Sequence, residues 1–486
     1  MTQDAAALYN ALTSRDPRFD GVFYVGVTST GIYCRPVCPA KTPKAANCRF
    51  FESAEAAERA NFRPCLRCRP ELAPGNAPVD EAQRIASLLV HRIDEGMLDR
   101  ASDESGRWLE RVARQFGWSS RQIRRIVHRE LGVSPMELLQ TRRLLLAKQL
   151  LTETLLPIAE IAHASGYASL RRFNDAFVQR YGMPPTRFRK GADGSQTKSA
   201  GGTFTLQLGY RMPFDWVAML DFLRARQMRG VEHVTGDTYM RTVRLGTRTG
   251  WIEVRNDADR RALRVSLPHA LTPVLPPLLG RLRHLFDLSA RPDIIAATLR
   301  DHSALNAGVG RHPGLRVPGA FDGFELAVRA ILGQQITVKA ATTLSGRFAE
   351  AFGERVETPH AELRRLTPTS ARVRRAPVRE LTDIGIMPAR AASILAMATA
   401  VQQGMALDPG ADPAGAMARL VALPGIGPWT ANYIAMRALR WTDAFPKEDV
   451  VIRKQLGGVT ASEAEKISQA WRPWRSYATL HLWRSA

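Results

Sequence analysis

Five cysteines, Cys34, Cys38, Cys48, Cys65 and Cys68, lie before residue 70, and none follows. Two close pairs, Cys34-x3-Cys38 and Cys65-x2-Cys68, separated by a small domain's worth of chain, have the spacing for one tetrahedral Zn2+. A four-cysteine site of this kind is ordinarily structural. Cys48 stands outside the pattern, either as a buried thiol beside Phe50-Phe51 or as a reactive or substitute ligand. The other residue placed for chemistry is Asp449. It closes the run Phe445-Pro446-Lys447-Glu448-Asp449, which follows Leu423-Pro424-Gly425-Ile426-Gly427-Pro428-Trp429-Thr430-Ala431-Asn432-Tyr433. Gly425 and Gly427 can take positive φ and bring backbone close to a partner. Pro428 suits a first helical position, and Trp429, Tyr433 and Met436 recur at helical spacing. This is helix, glycine hairpin, helix, a shape that aims N–H groups at a phosphate. An acid one helix later is partly desolvated and available for chemistry. The plainer readings are an ordinary Pro-Gly loop and, for Asp449, an N-cap to a helix starting at Val450. Asp449 can serve as cap and acid together, and Glu448 beside it is expected to be a surface acid.

These residues need elements to place them. Residues 19–33 are apolar and β-rich, so short strands deliver the first cysteine pair, and a helical stretch from Ser53 to Ala60 leads to the second. Residues 70–79 read as a linker by their Pro and Gly content. Helical periodicity then runs to about residue 190. Leu109, Val112, Ala113 and Phe116 share a face, and Ser119-Ser120 caps a helix that turns Arg121, Gln122, Arg124, Arg125 and Arg129 away from Ile123, Ile126 and Val127. A long helix near Pro135–Leu151 joins this to a second copy of the pattern. That copy has Ile158 to Ala162, a Gly166-Tyr167 turn, a Ser169 cap and then Arg171, Arg172 and Asn174. Two helix-turn-helix units with polar recognition helices suit adjacent major-groove segments. Residues 190–202 are poor in apolar side chains and read as flexible linker. From Thr203 strands alternate with an Asp215–Arg226 helix in a small α+β unit ending near Asp287, and the remainder is helical.

Composition narrows the partner. The chain has 486 residues, too many for one core, with 45% hydrophobic and 23% charged residues, as in ordinary globular protein. Sixty-eight Lys and Arg against 46 Asp and Glu give +22, which points to a polyanion and most simply to nucleic acid. No segment is apolar enough to span a bilayer, and Met1-Thr2-Gln3-Asp4-Ala5 lacks the layout of a signal peptide. An intracellular, cytoplasmic location is expected, where thiols stay reduced and an odd cysteine count argues against a disulfide framework.

The flanks of the cysteines, Thr30-Gly31-Ile32-Tyr33-Cys34-Arg35-Pro36-Val37-Cys38 and Asn61-Phe62-Arg63-Pro64-Cys65-Leu66-Arg67-Cys68, resemble the N-terminal domain of Ada alkylation-response proteins. That resemblance implies that Cys34 is both a zinc ligand and a nucleophile. It would irreversibly take methyl from a methylphosphotriester in DNA, since zinc keeps its sulfur as thiolate. Four thiolates on Zn2+ carry two net negative charges. Methylating one leaves a single charge, so repulsion from DNA phosphates falls and the site becomes a switch. Arg35, Lys41, Lys44, Arg49, Arg63, Arg67 and Arg69 suit a backbone-facing site. The duplicated helix-turn-helix, with Tyr181-Gly182-Met183-Pro184-Pro185-Thr186-Arg187-Phe188-Arg189, resembles the AraC-type DNA-binding domain. Its expected DNA contacts are Arg121, Arg124, Arg171 and Arg172.

Residues 203–486 resemble the AlkA-type glycosylases (3-methyladenine DNA glycosylase II). The matching runs include Pro213-Phe214-Asp215-Trp216, Leu285-Phe286-Asp287-Leu288, Gly314 to Gly319, Ala330-Ile331-Leu332-Gly333-Gln334-Gln335 and Trp471 to Ala478. The resemblance implies that the enzyme flips a nucleotide out of the stack and cleaves its N-glycosidic bond. Asp449 then stands beside the oxocarbenium-like sugar. Trp429, Tyr433, Phe222 and Trp483 would line the pocket, where electron-rich faces favour a cationic base. Tyr433 and Phe222 also suit ordinary core. Trp483 lies near the chain end, on a helix expected to be shorter than in that family. A Schiff-base lysine occupies the position of Trp429 in lyase-type relatives, so tryptophan there predicts hydrolysis without strand cleavage by that route. Gly425, Gly427 and Thr430 are expected at the DNA backbone, and Gln335 where the family inserts an apolar wedge.

The expected fold is multidomain: a small α/β zinc domain (1–75), an all-α double helix-turn-helix domain (80–190), a linker (191–202), a small α+β domain (203–287) and an all-α helix-hairpin-helix glycosylase domain (288–486). The expected function is an alkylation-damage response protein with one Zn2+. It would act as a monomer on alkylated and promoter double-stranded DNA, and contact RNA polymerase where it activates. The alternatives are a transcription regulator whose glycosylase half is only a DNA-binding module, and a glycosylase whose front half only targets it. Without a cysteine beyond Cys68, repair of O-alkylguanine is expected to be absent.

Overall fold

Strands β1 (Tyr24–Val27) and β2 (Ile32–Cys34) pair antiparallel, Val25 opposite Cys34, through a turn in which Gly31 takes φ +64°. β3 (Cys48–Phe51) lies antiparallel on the far side of β1, and β4 (Arg63–Pro64) runs parallel to β2, giving the order β3-β1-β2-β4. Helix Ala54–Arg59 packs on this sheet, with Ala57, Tyr33 and Phe62 in one small core. The architecture comes from a computed structural model, which describes residues 5–15, 19–20, 23–51, 54–70, 81–94, 107–115, 117–190, 202–409, 411 and 413–485. Phe116 and nearly all of the two stretches read as linkers lie outside the described residues.

The chain divides into two compact units, Met1–Leu89 with Val112–Pro135, and Val90–Arg111 with Met136–Ala486. In the first, helix Ser120–Leu131 is fixed at both ends. Ser119 and Gln122 form a capping box, and Gly132 closes the helix at φ +72°. Ile123, Ile126 and Val127 are buried while Arg121, Arg124 and Arg125 face solvent.

In the second unit helices Pro135–Glu153, Ile158–Ala164 and Leu170–Tyr181 come first, and the last repeats the Ser cap and left-handed Gly stop with Ser169 and Gly182. Then comes an antiparallel sheet in the order β5-β9-β8-β7-β6, built from β5 (Thr203–Gly209), β6 (Glu232–Thr235), β7 (Thr238–Leu245), β8 (Arg248–Asp257) and β9 (Ala262–Pro268). β5 alternates buried and half-buried residues, as the spacing of Phe204, Leu206 and Leu208 predicts. Helix Trp216–Arg226, capped by Asp215, starts one residue later than expected.

The helices before residue 190 and the sheet after residue 202 share a core that includes Leu150, Ile161, Phe173, Leu206, Val265 and Leu271. β5 is an edge strand, and its Gln207 is covered from the helix Pro135–Glu153: Gln149 Nε2 donates to the Gln207 carbonyl at 2.6 Å, and the Gln207 N–H donates to Glu153 Oε2 at 2.8 Å. A second, all-helical core is built around Ala327, Ile331, Ile394, Met397, Ile434 and Ile452, and it positions the hairpin.

Candidate active sites

The end of β2 places Cys34, and a turn closed by the Cys38 N–H donating to the Arg35 carbonyl at 3.1 Å places Cys38. Cys65 follows β4, its N–H donating to the Tyr33 carbonyl at 3.0 Å, and Cys68 lies one turn on. The four sulfurs lie within 4.8 Å of one another, and all four residues are buried. That spacing suits Zn–S bonds of about 2.3 Å in tetrahedral geometry. The donor set also asks for a cation. Hydrogen bonding to Cys38 and Cys68, with burial, pushes the Cys34 thiol far up, whereas hydrogen bonding from Cys34 and Cys68 holds Cys38 at about 2. Four such thiols ionise together only around a metal, and this is a Zn2+ site. Cys34, at 9% exposed, is the most accessible of the four, and Cys68, at 0%, the least. Cys34, Cys38 and Cys65 open onto a cavity of about 540 Å3 lined by apolar side chains from β1 and β2, with Lys41, Arg63 and Arg67 at its edge. Cys48 lies outside the cluster, half-buried on β3, its Sγ 3.4 Å from the Lys44 carbonyl.

Arg35 departs from expectation. It does not face outward but is 1% exposed, its guanidinium paired with Asp20 and donating to the Cys68 carbonyl at 3.2 Å. Its backbone N–H donates to Cys68 Sγ at 3.4 Å. The arginine between the first two ligands therefore organises the metal loop.

At the other site Asp449 caps helix Val450–Gln455, its Oδ1 accepting the Ile452 N–H at 3.0 Å. The same carboxylate accepts two indole N–H groups: Trp429 Nε1 at 2.7 Å on Oδ2 and Trp483 Nε1 at 3.2 Å on Oδ1. Trp429 comes from the start of helix Pro428–Arg437 and Trp483 from helix Arg475–Arg484, so three elements converge on one buried acid. All these donors are neutral, and no fixed cation competes for the carboxylate among the described residues. Glu448 is not the surface acid expected: it is half-buried, and its Oε2 is enclosed with no hydrogen-bond partner.

Trp429 and Tyr433 stack with ring centroids 5.4 Å apart and planes 9° from parallel, and Trp483 tilts against Tyr433 at 6.1 Å. Behind the stack lie cations that sequence reasoning missed. Arg437 Nη1 donates to the Tyr433 hydroxyl at 2.7 Å while its other nitrogens hold the Pro318 and Gly319 carbonyls. Burial alone raises the Tyr433 phenol, but Arg437, Arg226 and Arg329 outweigh it and pull the phenol below its ordinary value. Phe222 is packed by cations, with Arg226 3.9 Å and Arg437 4.9 Å from its ring centre. Its face is thus already engaged, and Phe222 supports the arginines as much as any base.

The hairpin itself is built as read, with two adjustments. Gly425 has φ +75°, and a Cβ there would lie 2.1 Å from Ser393 Oγ. Gly427 instead has φ −83° and caps helix Pro428–Arg437 in open space. Thr430 was expected at the DNA backbone, but its side chain is buried and accepts from Gln334 Nε2 at 2.9 Å, which also donates to the Gly425 carbonyl at 2.8 Å. Gln334, unnoticed beside Gln335, ties the two halves of the hairpin. Gln335 is exposed, with φ +52°, at the apex of the loop between helices Gly323–Leu332 and Val338–Phe352. Arg121, Arg124, Arg171, Arg172 and Arg63 are all exposed.

Four family models match in chain order: the metal binding domain of Ada over residues 7–71, a helix-turn-helix domain over 112–191, the AlkA N-terminal domain over 205–322, and the HhH-GPD superfamily of base excision DNA repair proteins over 328–475. The chain is 37% identical to a probable bifunctional transcriptional activator/DNA repair enzyme AlkA of Mycobacterium tuberculosis over 495 aligned positions, covering 99% of this chain and 97% of that one. It is 36% identical to the Escherichia coli DNA-3-methyladenine glycosylase 2, covering 57% of this chain and 95% of that one. A solved 3-methyladenine DNA-glycosylase from Archaeoglobus fulgidus shares the fold of the C-terminal part, with a TM-score of 0.50 at 19% identity over 57% of this chain and 96% of that one. An Ada-type metal domain, a helix-turn-helix and a base-excision domain in one polypeptide, matched end to end by one relative, place this chain in the family of bifunctional transcriptional activator/DNA repair enzymes of the AlkA type.

Proposed function

We propose that the protein senses alkylated DNA through Cys34 and repairs it through Asp449. The observation that carries the repair half is a buried carboxylate held by two indole N–H groups and a helix N-terminus beside stacked aromatic rings. A flipped base made cationic by alkylation would stack on Trp429 and Trp483. As its N-glycosidic bond breaks, the bonding pair leaves with the base and positive charge develops on the sugar. Asp449 faces that charge with a carboxylate already oriented, so little reorganisation is needed. Water then adds to the sugar carbon and gives up a proton, leaving an abasic site. Trp429 offers no amine, so the reaction ends at hydrolysis. 3-Methyladenine and related alkylated purines are the proposed leaving bases.

In the front half zinc would hold Cys34 as a thiolate. The sulfur attacks the methyl carbon of a methylphosphotriester, a C–S bond forms, the C–O bond breaks, and the phosphodiester leaves as an anion. The apolar cavity beside Cys34 fits a neutral methylated phosphate, while Arg63, Arg67 and Lys41 fit its charged neighbours on the strand. The site loses one negative charge, which favours tighter contact of Arg121, Arg124, Arg171 and Arg172 with promoter DNA. The protein would then act as a monomeric activator that contacts RNA polymerase in the bacterial cytoplasm. No helix among the described residues is long and apolar enough to cross a membrane.

Incubating the zinc-loaded chain with methylated duplex DNA, while following base release and protein mass together, tests both halves. An unchanged protein mass would remove the Cys34 assignment. Undiminished base release by Asp449→Asn would remove the carboxylate's role. DNA binding with no base release by the unaltered chain would leave the back half as a binding module.

A further inference from the structure

The aromatic wall of the base pocket has charge at both ends. Trp429 donates to Asp449 at 2.7 Å and stacks on Tyr433, and the Tyr433 hydroxyl accepts from Arg437 at 2.7 Å. The wall thus runs from a carboxylate to a guanidinium within the second compact unit. Two more cations stand at the guanidinium end. Arg226 is half-buried, 3.9 Å over the Phe222 ring, and Arg329 is buried, its Nη2 donating to Thr342 Oγ1 at 2.9 Å. Helices Trp216–Arg226, Gly323–Leu332 and Pro428–Arg437 supply one arginine each. Every hydrogen bond of the three guanidiniums goes to a carbonyl or a hydroxyl, and none forms an ion pair among the described residues. Glu232, Glu325 and Asp322, which line the small cavity beside them, are held by Arg241 and Arg281. A guanidinium does not shed its proton, so positive charge is left in surplus. Burial raises the Tyr433 phenol, but the three arginines outweigh it, which marks the same surplus. Unpaired buried cations are costly to a fold, so packing alone does not account for three of them.

We propose that Arg226, Arg329 and Arg437 form the positive end of an electrostatic field whose negative end is Asp449, and that this field draws the bonding pair of the N-glycosidic bond onto the departing base. The inference rests on the glycosylase reading above and adds three residues to it. A base lying on Trp429 and Trp483 with its sugar at Asp449 lies along that field. When the bond breaks, its electron pair goes to the base and the sugar carbon becomes positive. A base made cationic by alkylation then leaves neutral. A neutral base leaves as an anion, which afterwards takes a proton from water. Charge moves the same way in both cases, so the arginines assist both departures. Before the bond breaks the two cases differ. The arginines repel a bound cationic base and leave a neutral one unaffected, and repulsion relieved in the transition state speeds the reaction. The cluster therefore sets the rate for both kinds of base and the affinity for one.

The test is single-turnover base release by the full zinc-loaded chain, with the protein in varied excess over two duplexes. One duplex carries a single 7-methylguanine, a cationic base, and the other a single hypoxanthine, a neutral base. Arg226→Met is the variant to compare, because the Arg226 guanidinium donates to no carbonyl outside its own helix, whereas Arg437 holds Pro318 and Gly319. The saturating rate should fall about tenfold on both duplexes, the effect of one charge set behind the reacting atoms in a site closed to water. The half-saturating protein concentration should fall about threefold for the 7-methylguanine duplex, as repulsion is relieved, and stay unchanged for the hypoxanthine duplex. Arg226→Lys keeps the charge and should restore both parameters. Unchanged rates in Arg226→Met overturn the proposal, as does a loss that Arg226→Lys fails to restore, or an affinity that shifts equally for the two duplexes. Release of 7-methylguanine alone by the unaltered chain also overturns it. Release from neither duplex by the unaltered chain removes the glycosylase reading itself and this inference with it.

Discussion

Asp449 has two oxygens and accepts three N–H donors. Asparagine cannot copy this, because wherever its NH2 group is placed it meets an indole or backbone N–H. Asp449→Asn therefore loses the negative charge and one of the positioning bonds together. Single-turnover base release should fall about 10²- to 10³-fold, the usual cost of removing a group aimed at developing charge. Melting should fall by only about 1 kcal/mol, because the cap itself survives. Trp483→Phe keeps an aromatic face, though a smaller one, and deletes one donor at 3.2 Å. It should slow base release about tenfold, the scale of one hydrogen bond. Equal rates for Asp449→Asn and the unaltered chain would show that the carboxylate is only a cap.

Among the elements, the hairpin shows what sequence can and cannot reveal. Pro428 and Gly425 made its existence legible, since proline suits a first helical position and few residues tolerate the positive φ of Gly425. The brace was not legible: Gln334, Ser393 and Thr430 act through contacts between helices distant in sequence, which no local pattern encodes. The same holds for Arg226, Arg329 and Arg437 behind Tyr433, and for Arg35, whose burial depends on Asp20. Gly425→Ala should cost about 1 to 3 kcal/mol from its backbone conformation, and more from the clash with Ser393 Oγ at 2.1 Å. Adding Ser393→Gly should recover the clash but not the strain, so the double variant should melt between the single variant and the parent. The final helix carries a different signal. Burial, and then repulsion from His312, pushes His481 down from 6.5 to about 4. A histidine that binds its proton more weakly when folded favours the unfolded chain as pH falls between those values. Stability should thus drop from pH 6.5 to 4, by at most about 3 kcal/mol from this group. The drop should shrink in His481→Asn, measured by denaturant melts across that range. An unchanged slope would assign the acid sensitivity elsewhere.

For the whole molecule, the order of modules was readable from cysteine spacing, the duplicated helix-turn-helix and the glycosylase runs, but the shared core was not. A polar stretch such as 191–201 suggests independent parts on either side, yet apolar periodicity says only that a helix buries a face, not against what. Here Ile161 and Ala162 of helix Ile158–Ala164 and Leu271 of the turn His269–Val274 belong to one core, in elements that contact each other, and Gln149 and Glu153 cover the β5 edge at Gln207. A fragment that begins at Thr203 keeps every glycosylase residue discussed above but uncovers that edge and the apolar surface behind it. Its melting temperature should fall several degrees below that of a fragment beginning at Met136, since each kcal/mol lost moves the midpoint by about 2 to 4 °C in a domain of this size. It should also associate at concentrations where the longer fragment stays dispersed, because an open edge strand is a template for pairing. Base release by the two fragments should match while both are folded, since Asp449, Trp429 and Trp483 lie in the other core and its flanks. Equal melting temperatures would mean that the helices before residue 190 rest on the sheet without stabilising it.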